Sequence, residues 1–190
     1  MTASLFQGEL VRLVMENPED FAKAFSRWGR DSEFIRLLDN DPARLVSVKT
    51  AKEWFEKDLE KEALEEAFFI IQPLESDQSI GFVGLGGIAW NHGEAWVGIG
   101  LGEREYWGKG YGTDAMRVIL RYAFTELNLH RVSLGVFGYN PRAIRSYEKA
   151  GFVHEGRIRK QLWRDGKHWD AIQMGVLRNE WLERVKGEVQ

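Results

Sequence analysis

Three glycines at alternate positions, Gly108, Gly110 and Gly112, form the stretch WGKGYG from Trp107 onward, with Lys109 between the first two. Residues without side chains at every second position let the chain take positive φ and let an anion come close to the backbone. Behind the loop, Met116, Ile119, Leu120, Ala123, Phe124 and Leu127 repeat at helical spacing, which predicts a helix through Leu127. A helix starting there adds unpaired N–H donors and a partial positive charge at the same point. The chemistry suited to this arrangement is the holding of a phosphate. The same punctuation also serves a plain strand-to-helix connection, so the loop alone leaves both readings open. Two phosphate motifs of better-known spacing are absent. There is no Gly-x-x-x-x-Gly-Lys-Ser/Thr, and the acid expected about 20 residues after a dinucleotide fingerprint falls at Glu126 to Asn128, inside the helix.

Composition narrows the chemistry further. The 190 residues suit one domain, and 44% hydrophobic with 29% charged residues is ordinary for a soluble globular chain. A net charge of −3 gives no support for a nucleic-acid partner. With 0 cysteines there are no disulfides, no zinc thiolates and no cysteine nucleophile. The start, MTASLFQGEL, lacks a secretory pattern, and the longest apolar candidate, Ile80 to Trp90, is short and glycine-rich. A cytoplasmic protein without a membrane partner is the expectation. His92, His130, His154 and His168 show no metal spacing, so no metal is expected.

The elements that must position the loop follow from periodicity. Glu9 to Met15 alternates as a strand, and Asn17-Pro18-Glu19-Asp20 reads as a capped helix start that carries Phe21, Ala24, Phe25 and Trp28 inward. A short helix over Asp31 to Leu38 and a longer, charge-rich one from Val48 to Ala67 come next. Three β-like runs, Ala67 to Leu74, Ser79 to Trp90 and Glu94 to Leu101, are joined by the turn sequences Glu75 to Gln78 and Asn91 to Gly93, which predicts an antiparallel meander. Gly84, Gly86 and Gly87 inside the middle run mark a bulge or close packing. After the glycine-loop helix come a strand over Arg131 to Phe137, then a helix from Asn140-Pro141 to Ala150 closed by Gly151. A hairpin of Val153 to Trp163 and Lys167 to Leu177 turns at Arg164-Asp165-Gly166. The fold class is α/β (α+β): a mixed, mostly antiparallel seven-stranded sheet flanked by helices, with one βαβ crossover at its centre.

In order along the chain stand WGKGYG, YAFTELNLHRVSLGV, NPRAIRSYEKAGF, then Glu155-Gly156 and a closing DAIQMGV. From about Phe82 to Trp181 this set resembles the GNAT superfamily of acyl-CoA-dependent N-acetyltransferases, especially its ribosomal-protein N-terminal and polyamine branch. The resemblance implies a single acyltransferase domain over 1–190, with 1–66 on the acceptor side, 67–150 as the cofactor-binding core and 151–190 as a C-terminal hairpin. It implies acetyl-CoA as co-substrate, its pyrophosphate on the backbone of Gly108, Lys109, Gly110, Tyr111, Gly112 and Thr113. It also implies that the strand ending at Leu101 parts from the one starting at Arg131, so that pantetheine pairs with Ile99, Gly100 and Leu101. Asn140 would cap its helix and lend its side chain to the pantetheine arm. Tyr147 would give a proton to the thiolate as the amine displaces it. Trp107 departs from the Gln or Arg usual at the first loop position, which puts a side-chain phosphate contact in doubt and makes Lys109, Arg142 or Arg145 the candidates to replace it.

An attacking amine must lose a proton. Glu94, early on the strand before the loop, is the candidate base by this resemblance, while Glu33 and Asp31 are candidates for gripping an amine on the acceptor side; each also reads as an ordinary surface acid. A site poor in bases favours an amine of low pKa, and an α-amine near 8 is easier to deprotonate than a lysine-type amine near 10.4. The expected acceptor is therefore a protein N-terminus or another small amine, in a ternary complex, and a homodimer is a further expectation by analogy. The alternatives are a sensor or scaffold that binds acetyl-CoA without turnover, and a nucleotide-phosphate enzyme using the same loop.

Overall fold

The computed structural model describes residues 4–15, 17–59 and 66–188. Its elements are β1 (Val11–Val14), α1 (Pro18–Trp28), α2 (Ser32–Leu38), α3 (Val48–Leu59), β2 (Ala67–Pro73), β3 (Gly81–Ala89), β4 (Glu94–Leu101), α4 (Tyr111–Thr125), β5 (Arg131–Phe137), α5 (Pro141–Ala150), β6 (Val153–Arg164), β7 (Lys167–Leu177) and α6 (Arg178–Glu188). A short 3₁₀ turn at Arg104–Tyr106 precedes the glycine loop. The seven strands form one sheet in the order β1-β2-β3-β4-β5-β7-β6, antiparallel except for the parallel pair β4–β5 joined through α4. The expected mixed sheet and its central crossover are thus present.

Strand alternation divides the core into two layers. On one face Ile71, Val83, Ala95, Val97, Val132 and Leu134 pack with Met116, Ile119, Leu120 and Phe124 of α4. On the other, Ile70, Phe68 and Phe82 pack with Phe21 and Trp28 of α1, Phe34 and Ile35 of α2 and Phe55 of α3. The second layer is almost wholly aromatic at its centre, with the rings of Phe21 and Phe55 4.4 Å apart and Phe68 stacked on Phe82 at 5.6 Å.

Local boundaries follow from capping and competition for backbone donors. Asn17 accepts from Glu19 N, Asp31 from Glu33 N and Asn140 from Ala143 N, and each opens its helix as the sequence predicts. The first strand is shorter than Glu9 to Met15 because the N–H groups of Glu9 and Leu10 donate to the carboxylate of Asp114 on α4 instead of entering a ladder. Gly8 lets the chain pass so close: a Cβ there would lie 2.3 Å from an Asp114 oxygen. The helix expected from Val48 to Ala67 is described only as far as Leu59, residues 60–65 lie outside the described ones, and Ala67 already belongs to β2. The glycines of β3 do mark a bulge, with a register shift after Gly86 and φ of +59° at Gly87. The C-terminal hairpin turns through Asp165 and Gly166 at φ of +53° and +73°, as a tight type I′ turn demands. The chain then adds α6, which the sequence reading does not foresee. Its weak amphipathic pattern hides it; it docks by Trp181 against Phe124, 5.5 Å between rings.

Candidate active site

The glycine loop carries the strain its composition allows. Gly108 and Gly110 have φ of +74° and +97°, and Gly110 caps α4 without any side-chain hydrogen bond, so the first N–H groups of the helix face outward uncapped. They open onto a cavity of about 510 Å³, where Gly108, Gly110, Gly112 and Thr113 form part of the lining. Thr113 and Ser146 share a hydroxyl hydrogen bond of 2.8 Å that ties α4 to α5 across it. Of the loop residues expected here, Lys109 and Tyr111 do not line the cavity. Tyr111 donates its hydroxyl to Glu75 at 2.8 Å, which raises its pKa through that hydrogen bond.

The cavity continues into the gap between β4 and β5. These strands pair only at Glu94↔Arg131, Ala95↔Val132 and Trp96↔Ser133, after which β5 goes on pairing with β7 alone. Ile99, Gly100 and Leu101 wall the opened gap, where unpaired backbone groups call for a partner. Trp107 takes part of that edge for itself: its indole Nε1–H donates to Leu101 O at 2.7 Å. Two guanidinium groups lie over its ring, Arg142 at 4.0 Å and Arg104 at 4.9 Å from the ring centre. Arg142 and Arg145 line the cavity, as does Arg117, whose Nε is buried without a hydrogen bond. Burial lowers the pKa of Arg142, so its charge is held partly out of water. A set of cations lining one cavity suits an anion with several charges.

Tyr147 sits on α5 where this cavity meets a second one, of about 290 Å³, and lines both. Burial pushes its phenol up to about 12, and its hydroxyl has no hydrogen-bond partner among the described residues. Asn140 also lines both cavities; its Oδ1 is spent on Ala143 N at 3.1 Å, leaving its NH₂ for the opening. The acids named from sequence are elsewhere. Glu94 begins β4 where the two strands are still paired, six residues before Gly100, a rise of about 20 Å. It lines neither cavity. Glu33 lies 2.7 Å from Arg104, and Asp31 caps α2 while accepting from the same guanidinium at 2.7 Å. That bond holds the Asp31 carboxyl below its usual range. Both acids thus pair with Arg104. Sequence reasoning missed Arg117 and Glu66, the latter lining the second cavity. Neither carried a local signal, since a mid-helix arginine and an acid in a charged run are ordinary surface residues.

The fold and site define an acetyltransferase class, and comparison with known proteins agrees. The family model for the acetyltransferase (GNAT) domain matches residues 11–153, and the chain belongs to that family. Its co-substrate is acetyl-CoA, and the acetyl group passes to an amine. Among similar proteins is the uncharacterized prophage-derived N-acetyltransferase YokL of Bacillus subtilis, 31% identical over 181 residues and covering 95% of this chain and 97% of that one. The spermidine N(1)-acetyltransferase of Vibrio cholerae is 32% identical over 166 residues, covering 81% and 91%. A crystal structure of spermidine N-acetyltransferase from Vibrio cholerae in complex with CoA and spermine superposes with a TM-score of 0.78 at 26% identity, covering 90% of this chain and 98% of that one.

Proposed function

We propose that this chain moves acetyl from acetyl-CoA directly to a small primary amine within a ternary complex, with Tyr147 as the proton donor to the leaving thiolate. The observation that carries the reading is the phenol of Tyr147 standing where the two cavities meet. The pyrophosphate is assigned to the N–H groups of Gly108, Gly110, Gly112 and Thr113 together with Arg142 and Arg145, and pantetheine to the open edge of Ile99 to Leu101. As the amine nitrogen bonds to the thioester carbonyl carbon and the C–S bond breaks, the sulfur gains an electron pair and the phenol supplies its proton. The proton lost by the amine leaves through water, and water returns a proton to the Tyr147 phenolate, which restores the donor for the next turnover. A protein-bound acyl thiol is not available, because the chain contains 0 cysteines.

Mixing protein, acetyl-CoA and a panel of primary amines should release free thiol with at least one amine. Tight acetyl-CoA binding with no release across the panel would favour the sensor reading instead. The relatives named for spermidine support a small amine over a protein N-terminus. A homodimer is proposed through the edge strand β6, where Val153, Ile158 and Trp163 are exposed at 52%, 46% and 64%.

Trp107 receives a role that its departure from the family pattern left open. By stacking on Arg142 it fixes that guanidinium toward the cavity, so it acts as a positioning residue rather than a phosphate ligand. Trp107→Ala should weaken coenzyme A binding about fivefold, near 1 kcal/mol, when measured by titration calorimetry. Arg142→Ala should then cost less in the Trp107→Ala background than in the native chain, as coupled neighbours do. Unchanged affinity in Trp107→Ala would remove this role.

A further inference from the structure

The second cavity has a floor of glycine. Alternation places Gly84 and Gly86 of β3, Gly98 of β4 and Gly135 of β5 on the sheet face opposite α4, with Gly84 paired to Gly98 and Gly86 to Trp96. A Cβ built on Gly86 or Gly98 would meet nothing within 4 Å, so the space above the floor is open rather than filled by packing. Neither residue takes positive φ, and the glycines are therefore not there to serve a turn. Phe68, Phe82 and Phe137 border the floor, and Leu38 overhangs it from α2. The floor meets the gap between β4 and β5 where Ile99 and Tyr147 belong to both cavities, so a molecule lying on it reaches the phenol directly.

Charge decides what kind of molecule that is. Among the described lining residues Glu66 is the one carboxylate, and everything else apart from Tyr147 and Asn140 is apolar or glycine. Glu66 stands at the margin. Its neighbour Ala67 pairs with Leu85, which pairs with Val97, so it is two strand spacings, roughly 10 Å, from the gap. A triamine on this floor would lay its middle ammonium against phenylalanine and glycine without a carboxylate partner among the described residues at that point of the floor, and an unpaired cation taken out of water is costly. An uncharged ring on the same floor gains from burial and from edge contacts with the phenylalanines.

Resting on the acetyl-transfer reading above, we propose that the preferred acceptor is a primary amine borne on a single apolar, aromatic body that lies on the glycine floor between Phe82 and Phe137, its nitrogen directed to the thioester beside Tyr147. A free arylalkylamine and a peptide with an aromatic first residue share this chemistry. The test compares 2-phenylethylamine, a short peptide beginning with phenylalanine, and spermidine in the thiol-release assay, with the native chain and with Gly86→Leu. At least one aromatic amine should exceed spermidine about tenfold in kcat/KM, and whichever of the two is faster identifies the source. Gly86→Leu fills the floor away from the coenzyme gap. It should raise KM for that amine about tenfold and leave coenzyme A affinity unchanged by calorimetry, which also reports that the variant is folded. Spermidine preferred over both aromatic amines, or an unchanged KM in Gly86→Leu, would overturn the inference while leaving acetyl transfer intact. No release with any amine would overturn the transfer reading and this inference with it.

Discussion

Tyr147→Phe is expected to lower kcat about 10²- to 10⁴-fold and to change coenzyme A affinity less than about twofold. The substitution removes one oxygen and keeps the ring, which packs edge-on against Phe152 at 6.1 Å. The lost hydroxyl has no protein partner among the described residues, so no buried group is orphaned and stability should hold. Only a hydrogen bond and proton transfer to the leaving sulfur disappear, and those interactions exist chiefly in the transition state. The pH profile supplies an independent check. Burial disfavours the phenolate, raising the pKa to about 12, so the donor form persists as pH climbs past 10, where an exposed tyrosine would ionise. Turnover should therefore show no falling limb centred near pH 10. Full activity in Tyr147→Phe, in initial-rate assays at saturating acetyl-CoA, would take this residue out of the mechanism.

Asp114→Ala should produce the largest loss of stability of any single change at the site. The carboxylate is 6% exposed and accepts from Glu9 N at 3.1 Å, Leu10 N at 2.8 Å and Val11 N at 3.0 Å. Alanine would strand three backbone donors under the helix that holds the glycine loop, at a cost of roughly 3–5 kcal/mol. At about 2–4 °C per kcal/mol for a chain of this size, the thermal midpoint should fall by roughly 10 °C. Glu9, Leu10 and Asp114 also line the coenzyme cavity, so affinity should fall with it. Asp114→Asn keeps an acceptor and should recover about half the loss. A midpoint for Asp114→Ala within about 2 °C of the native chain would show that the bonds are not needed.

What the sequence made legible is what local rules encode. The cap at Asn140, the left-handed C-cap at Gly151 with φ of +110° and the positive φ of Gly108 and Gly110 each follow from one residue and its neighbours. What it hid depends on partners far along the chain. Glu94 shares a strand face with Trp96 and Gly98, but the register of β5 decides which end of that strand opens, and β5 pairs at the Glu94 end. Asp31 and Glu33 look free in sequence until Arg104, 73 residues after Asp31, claims them. Asp114 reads as an ordinary acid in the first turn of a helix, because nothing nearby announces the N-terminal segment that folds back onto it. Trp107 looks like a lost ligand, and only the folded chain shows Arg104 and Arg142 lying over its ring.

One coenzyme is expected to run from the glycine loop through the gap between β4 and β5 to the phenol of Tyr147. A crystal structure of the native chain with coenzyme A tests it most directly. Pyrophosphate oxygens should lie on the N–H groups of Gly108, Gly110, Gly112 and Thr113, pantetheine against Ile99 to Leu101, and the sulfur within hydrogen-bond reach of the Tyr147 hydroxyl. A coenzyme whose sulfur lies outside that gap, away from Tyr147, would contradict it.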